Sequence, residues 1–154
     1  MTTQTDLATS MTDAAEAIAG AELATRTAGE SWTMTLNSAV AVEIDLDPAT
    51  LNLMLATEVG GVNPAREADY LKLMLTYNAA WEDTGGLRFS IDPFEGTATL
   101  QFPLAVEEAT AEMLARVIGN LADRTTTWRE ALESEGSPDV PVIDEGDDGV
   151  VFRA

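Results

Sequence analysis

The chain has 154 residues, with 8 basic against 27 acidic side chains and a formal net charge of −19. Nucleic-acid backbones and anionic lipid surfaces are excluded as partners, because binding either requires cationic groups. Cysteine and histidine are both absent, so disulfides, thiolate nucleophiles and every Ser-His-Asp or Cys-His arrangement are excluded as well.

The length and the 45% apolar content fit one domain with an ordinary core. Its start, Met1-Thr-Thr-Gln-Thr-Asp6, carries no basic, apolar or cleavage pattern of a leader. No apolar run reaches the length that spans a bilayer. The expectation is a cytoplasmic protein with a disordered N-terminus over 1–12, a single α+β domain over 13–133 and an acidic flexible tail over 134–154.

Asp13 to Gly20 reads as a short helix, rich in alanine and with little bulk to bury. From Ser31 the period changes to two. Trp32, Met34 and Leu36 alternate with threonines, and Val40, Val42, Ile44 and Leu46 alternate with Ala41, Glu43 and Asp45. Two strands follow, each with one buried face. After the turn residues Asp47-Pro48-Ala49-Thr50, a third alternating run through Leu51, Leu53, Leu55 and Thr57 ends at Gly60-Gly61. These three strands are expected to form an antiparallel meander.

Asn63-Pro64 places a capping residue ahead of a proline at the first helical position, so a helix begins there. It carries Leu71, Leu73, Met74, Leu75, Tyr77 and Trp81 around most of its circumference, more than one five-stranded sheet covers. A second copy of the chain is the expected cover, meeting this helix and the strand after it. Gly85-Gly86 ends the helix. Leu87, Phe89 and Ile91, then Ala98, Leu100, Phe102 and Leu104, form a hairpin across Asp92-Pro93-Phe94-Glu95-Gly96.

The last element is a long helix from about Glu107 to Glu133, with Leu114, Val117, Ile118, Leu121, Trp128 and Leu132 at three- and four-residue steps. Gly119 inside it costs roughly 1 kcal/mol relative to alanine, which suggests a close approach to the sheet or to another chain. Residues 134–154 hold six acids and Arg153, a net of −5, so most of the acidity belongs to the folded part. The fold class is therefore α+β, an antiparallel sheet of about five strands with three helices in the order α-β-β-β-α-β-β-α.

Little catalytic chemistry remains. Asp45 and Asp47 lie two residues apart on one strand face, but their place beside Pro48 is turn chemistry. The run Asp144-Glu-Gly-Asp-Asp148 lacks the alternating ligands and terminal Glu of a calcium loop. Neither glycine pair is followed by Lys-Ser/Thr, as a phosphate loop requires. No enzyme, metal site or cofactor is expected.

Leu71-Lys-Leu-Met-Leu-Thr-Tyr-Asn78, Gly86-Leu-Arg-Phe-Ser-Ile91, Ala98-Thr-Leu-Gln-Phe-Pro-Leu104 and the closing Leu121 to Trp128-Arg-Glu-Ala-Leu132 carry a resemblance. In this element order and at this acidity, the chain is similar to the class I type III secretion chaperones, the Tir chaperone family, from about Trp32 to Leu132. The same fold occurs in YbjN-like bacterial proteins, which need not serve a secretion system. They imply the alternative of an interaction or regulatory module without a secreted client.

The chaperone resemblance implies a homodimer built on Tyr70, Leu71, Met74, Leu75, Tyr77, Asn78 and Trp81 of the middle helix with Phe89 and Ile91 of the next strand. It also implies that the extended N-terminal segment of a secreted effector protein wraps around the dimer and stays secretion-competent without ATP. Trp32, Met34, Leu36, Val42, Ile44 and Met54 are the candidate client-binding residues.

Overall fold

The computed structural model describes residues 3–27, 30–36 and 39–134. The first helix, α1, runs Gln4–Ala19 and starts well before Asp13, where sequence reading had placed a disordered end. A reciprocal cap explains the difference. The Thr3 hydroxyl accepts from Asp6 N–H at 3.1 Å, and Thr3 N–H donates to the Asp6 carboxylate at 2.9 Å, satisfying two amides that a bare helix end leaves unpaired. Gly20 ends the helix in the left-handed conformation.

Sequence reading missed the next element altogether. β1 (Leu23–Thr27) pairs antiparallel with β2 (Ser31–Leu36), making the sheet six-stranded instead of five. The sequence Leu-Ala-Thr-Arg-Thr holds one large apolar residue, too few to display a period of two. β3 (Val40–Asp47) and β4 (Asn52–Gly61) complete an antiparallel meander. Leu51 belongs to the turn before β4, at φ 57°.

A 3-10 turn over Pro64–Arg66, capped by the Asn63 carboxamide on Ala65 N–H, leads into α2 (Glu67–Ala79). The chain then turns into β5 (Arg88–Ile91) and returns as β6 (Thr97–Ala105), which lies next to β4. The order across the sheet is therefore β1-β2-β3-β4-β6-β5, antiparallel throughout. α3 (Ala111–Glu133) begins after Glu107, because the Thr110 hydroxyl caps it by accepting from Met113 N–H. Residues 135–154, with the expected acidic tail, lie outside the described residues.

The alternation read from the sequence is the division between two faces of the sheet. Trp32, Met34, Leu36, Val42, Ile44, Leu53, Leu55, Leu100 and Phe102 point inward, where α3 covers them with Leu114, Val117, Ile118, Leu121 and Trp128, and α1 adds Ala8, Met11 and Ala15 beside it. Each large apolar side chain enclosed there contributes roughly 1.5–3 kcal/mol. The Thr57 and Thr125 hydroxyls bond to each other within this layer, satisfying two buried polar groups. On the other face, Glu43, Asp45 and Glu58 are exposed, and Met54, Ala56 and Gln101 are half-buried. Gly119 is not a point of close approach to the sheet, since a Cβ there would meet no atom of the chain within 4 Å.

Candidate functional site

The two rims of the sheet differ, and α2 makes the difference. β5 is an outer strand, so one side of its backbone faces away from β6. Asn78 on α2 covers it: its carboxamide oxygen accepts from Phe89 N–H at 2.7 Å and its nitrogen donates to Phe89 C=O at 3.1 Å. Thr84 continues the cover. Its hydroxyl donates to Leu87 C=O at 3.3 Å, and its own carbonyl accepts from Leu87 N–H. The tight turn between α2 and β5 needs Gly86, at φ 88°, where any Cβ would lie 2.9 Å from the Phe102 ring. β1, at the opposite rim, has a strand on one side only.

α2 also divides its own apolar surface. Tyr70, Met74 and Tyr77 turn inward and are buried. Tyr77, Phe89 and Trp128 form a cluster of three edge-to-face rings with centroids 4.7–5.5 Å apart, joining α2, β5 and α3. Burial raises the Tyr77 phenol above its ordinary value. Tyr70 donates its hydroxyl to Ala131 C=O at 3.2 Å. Leu75 (67% exposed), Trp81 and Ile91 stay outside, while Leu71 and Asn78 are half-buried.

Of the nine residues expected at a dimer interface, the chain thus encloses Tyr70, Met74, Tyr77 and Phe89 within itself. The girth of α2 had suggested a surface wider than one subunit covers. The sequence pattern does not reveal that Tyr70 and Tyr77 reach the C-terminal part of α3, at Ala131 and Trp128, so that the chain covers part of that girth itself. Sequence reading also passed over Phe94, which is 94% exposed at the tip of the β5–β6 hairpin. Asp92 holds that tip in shape by accepting from Phe94 N–H at 2.7 Å and Glu95 N–H at 2.9 Å, and these bonds hold its carboxyl below the usual range. A fully exposed aromatic inside a turn composition was the available signal.

The expected client-binding residues separate by strand parity. Trp32, Met34, Leu36, Val42 and Ile44 are core side chains, at most 5% exposed, and so are not on the outer surface of the folded chain. Their alternation marked the side that the helices cover. Met54 alone lies on the uncovered face, half-buried. Trp32 and Met34 do reach one opening, a cavity of about 220 Å³ between α1 and the β1–β2 pair, which Thr12, Asp13, Glu16 and Arg26 also line. A second cavity, of about 360 Å³, lies between Asn63, Arg66, Tyr70 and the end of α3.

Asp47 serves its turn, as expected: its carboxylate accepts from the Thr50 hydroxyl at 2.7 Å and from Ala49 N–H at 2.8 Å, and the Thr50 bond is the main reason its pKa is lowered. Asp45 accepts from the Ser31 hydroxyl. Among the described residues there is no group of three or more carboxylates placed to hold a metal ion, and no helix long and apolar enough to cross a membrane. The run Asp144–Asp148 lies outside them.

The sequence profile of the Tir chaperone protein (CesT) family matches residues 28–129. No curated protein matches the chain. Among solved structures, the chain is similar to one described as the ExsC–ExsE complex, with a TM-score of 0.69 at 18% identity over 88% of this chain and 100% of that one. It is also similar to the HopA1–SchA chaperone–effector complex (TM-score 0.65, 16% identity, 82% of this chain, 95% of that one). A third is the Yersinia pestis type III secretion chaperone SycH in complex with a stable fragment of YscM2 (TM-score 0.64, 17% identity, 79% of this chain, 98% of that one). At such identities the likeness carries the fold.

Proposed function

Because the chain belongs to the Tir chaperone protein family, a family of chaperones and not of enzymes, we propose that it binds the extended N-terminal segment of a secreted effector protein. It keeps that segment soluble and secretion-competent without ATP. The observation that carries this reading is the inequality of the two rims. An extended polypeptide adds to a sheet by pairing with a strand edge; Asn78 already bonds Phe89 of β5 and Thr84 bonds Leu87 just before it, whereas β1 is paired to a strand on one side only, beside the cleft under α1. The solved structures of like fold agree with such a role, since SchA is described in a chaperone–effector complex and ExsC and SycH with partners of their own.

The working unit is a homodimer. Leu75 on α2, Trp81 in the turn after it, Ile91 on β5 and Phe94 at the hairpin tip are exposed, and Leu71 and Asn78 on α2 are half-buried; a second copy covers them. The net charge of −19 keeps the loaded complex soluble and away from nucleic acid and anionic membranes, which suits the cytoplasm.

The test is co-expression with N-terminal segments of secreted proteins encoded near its gene, followed by affinity recovery and light scattering. A soluble complex of two copies with one such segment is the expected result. A monomer that recovers no segment from any neighbouring gene refutes the reading.

A further inference from the structure

Four buried polar atoms of the described residues have no hydrogen-bond partner: Thr12 Oγ1, Trp32 Nε1, Tyr77 Oη and Trp128 Nε1. Tyr77 and Trp128 belong to the three-ring cluster and border neither cavity. Thr12 and Trp32 line the same one, the cavity of about 220 Å³ between α1 and β1–β2. Thr12 is 0% exposed and Trp32 5%. Unpartnered buried polar groups destabilise the fold that carries them, and this fold carries two at one opening. They differ in kind, because an indole N–H only donates while a hydroxyl both donates and accepts.

We infer that this cavity is a subsite for a carboxamide side chain, Asn or Gln, of the bound polypeptide; the inference rests on the chaperone reading for the source of that side chain. The cavity is lined by Trp32 and Thr12, whose orphaned donor and acceptor lie behind its wall, by Asp13 and Glu16, and by Arg26, whose guanidinium carbon lies 5.5 Å from the Trp32 ring centroid. A carboxylate would accept from the indole but would face Asp13 and Glu16. An ammonium or guanidinium would suit those two acids, but offers the indole no acceptor and meets Arg26. A carboxamide does both tasks: its oxygen accepts from Trp32 Nε1–H, and its nitrogen donates to Thr12 Oγ1 and the acids beside it. Solvent does not reach either orphaned atom in the free chain, so the side chain enters by a shift of α1. That helix meets its neighbours mostly through small side chains, Ala8, Thr12 and Ala15, with Met11 the one large residue of its buried set, and is joined to β1 through the left-handed Gly20.

The experiment titrates the isotope-labelled full chain with propionamide, and in parallel with sodium propionate and propylammonium chloride. It reads the indole N–H resonance that Trp32→Phe removes. Propionamide is expected to move that resonance saturably, and the other two to leave it in place. Thr12→Val should weaken the propionamide response by roughly two- to tenfold, the worth of one hydrogen bond, and should raise the melting temperature by deleting an unpartnered group. A resonance that propionamide does not move, one that propylammonium moves equally, or a Thr12→Val chain that melts lower overturns the subsite. Because the titration needs no client, the two readings fail separately. Client recovery undiminished by Thr12→Val and Trp32→Phe overturns the subsite and leaves the chaperone standing. A saturable propionamide response in a chain that recovers no client removes the polypeptide as the source and leaves the carboxamide site.

Discussion

The side-chain amide of Asn78 clasps the peptide group of Phe89 from both ends, accepting its N–H at 2.7 Å and donating to its C=O at 3.1 Å. Asn78→Ala frees both backbone groups on an outer strand. The expected result is a loss of roughly 1–3 kcal/mol in chemical denaturation and concentration-dependent association, read by light scattering. A variant as stable and as well dispersed as the parent would show that the clasp is dispensable.

Met74 and Leu75 are neighbours in sequence with opposite surroundings, 2% and 67% exposed. Met74→Asp buries a charge without a partner and should abolish folding, seen as loss of the cooperative melt. Leu75→Asp and Phe94→Asp should leave the melt of the single chain within about 0.5 kcal/mol of the parent, as is usual for surface sites, yet convert the dimer to monomer in sizing experiments. Dimers that persist in both surface variants would move the interface elsewhere.

Gly119 lies in α3 with open space where a Cβ would stand. Gly119→Ala is therefore expected to stabilise the chain by about 0.5–1 kcal/mol in denaturant melts. A destabilised variant, or one that fails to dimerise, would mean that another chain approaches this turn of the helix.

Acid should act in two opposed ways. Falling pH neutralises carboxylates and relieves the repulsion behind the −19 net charge, so thermal midpoints rise at first. Asp92, Asp47 and Asp6 have pKa values held below the ordinary 3.8 by their hydrogen bonds; their contribution is complete above the unfolded value and is lost as pH falls through the folded one. The midpoint should turn downward below about pH 4, and less steeply in Asp92→Asn. At the alkaline end, Tyr77 is raised by burial, so its contribution is present below the unfolded phenol value and disappears as pH climbs through the folded one. Tyr77→Phe should weaken that loss. Melting curves across the pH range check all three limbs.

The strands from Trp32 to Leu104 and the two later helices were readable in the sequence because their apolar spacing is strong enough to define a face. Elements with small side chains were not. β1 shows one large residue in five, and the start of α1 depends on a Thr3–Asp6 cap that lacks an apolar stripe. The surface was less legible than the fold, for a physical reason. Alternation reports which residues are apolar, and in a sheet with one covered face those residues are the core; this put Trp32, Met34, Leu36, Val42 and Ile44 in the interior. Likewise, the breadth of α2 reported the demand for cover, but only the return of α3 over Tyr70 and Tyr77 decides how much the chain supplies itself. Thr12 gave no sequence signal, since it fell in the segment expected to be disordered, and a threonine there is unremarkable until α1 encloses it and its hydroxyl is found without a partner.

The bonds that Asn78 and Thr84 make at the β5 rim, opposite the β1 rim, have a consequence for growth. Head-to-tail stacking of sheets, the route to open-ended fibres, needs a bare margin at both ends of every unit so that each copy can receive one neighbour and offer itself to the next. Here the chain's own Asn78 already occupies the Phe89 peptide groups at one margin, so copies cannot pair head to tail through that margin without displacing it.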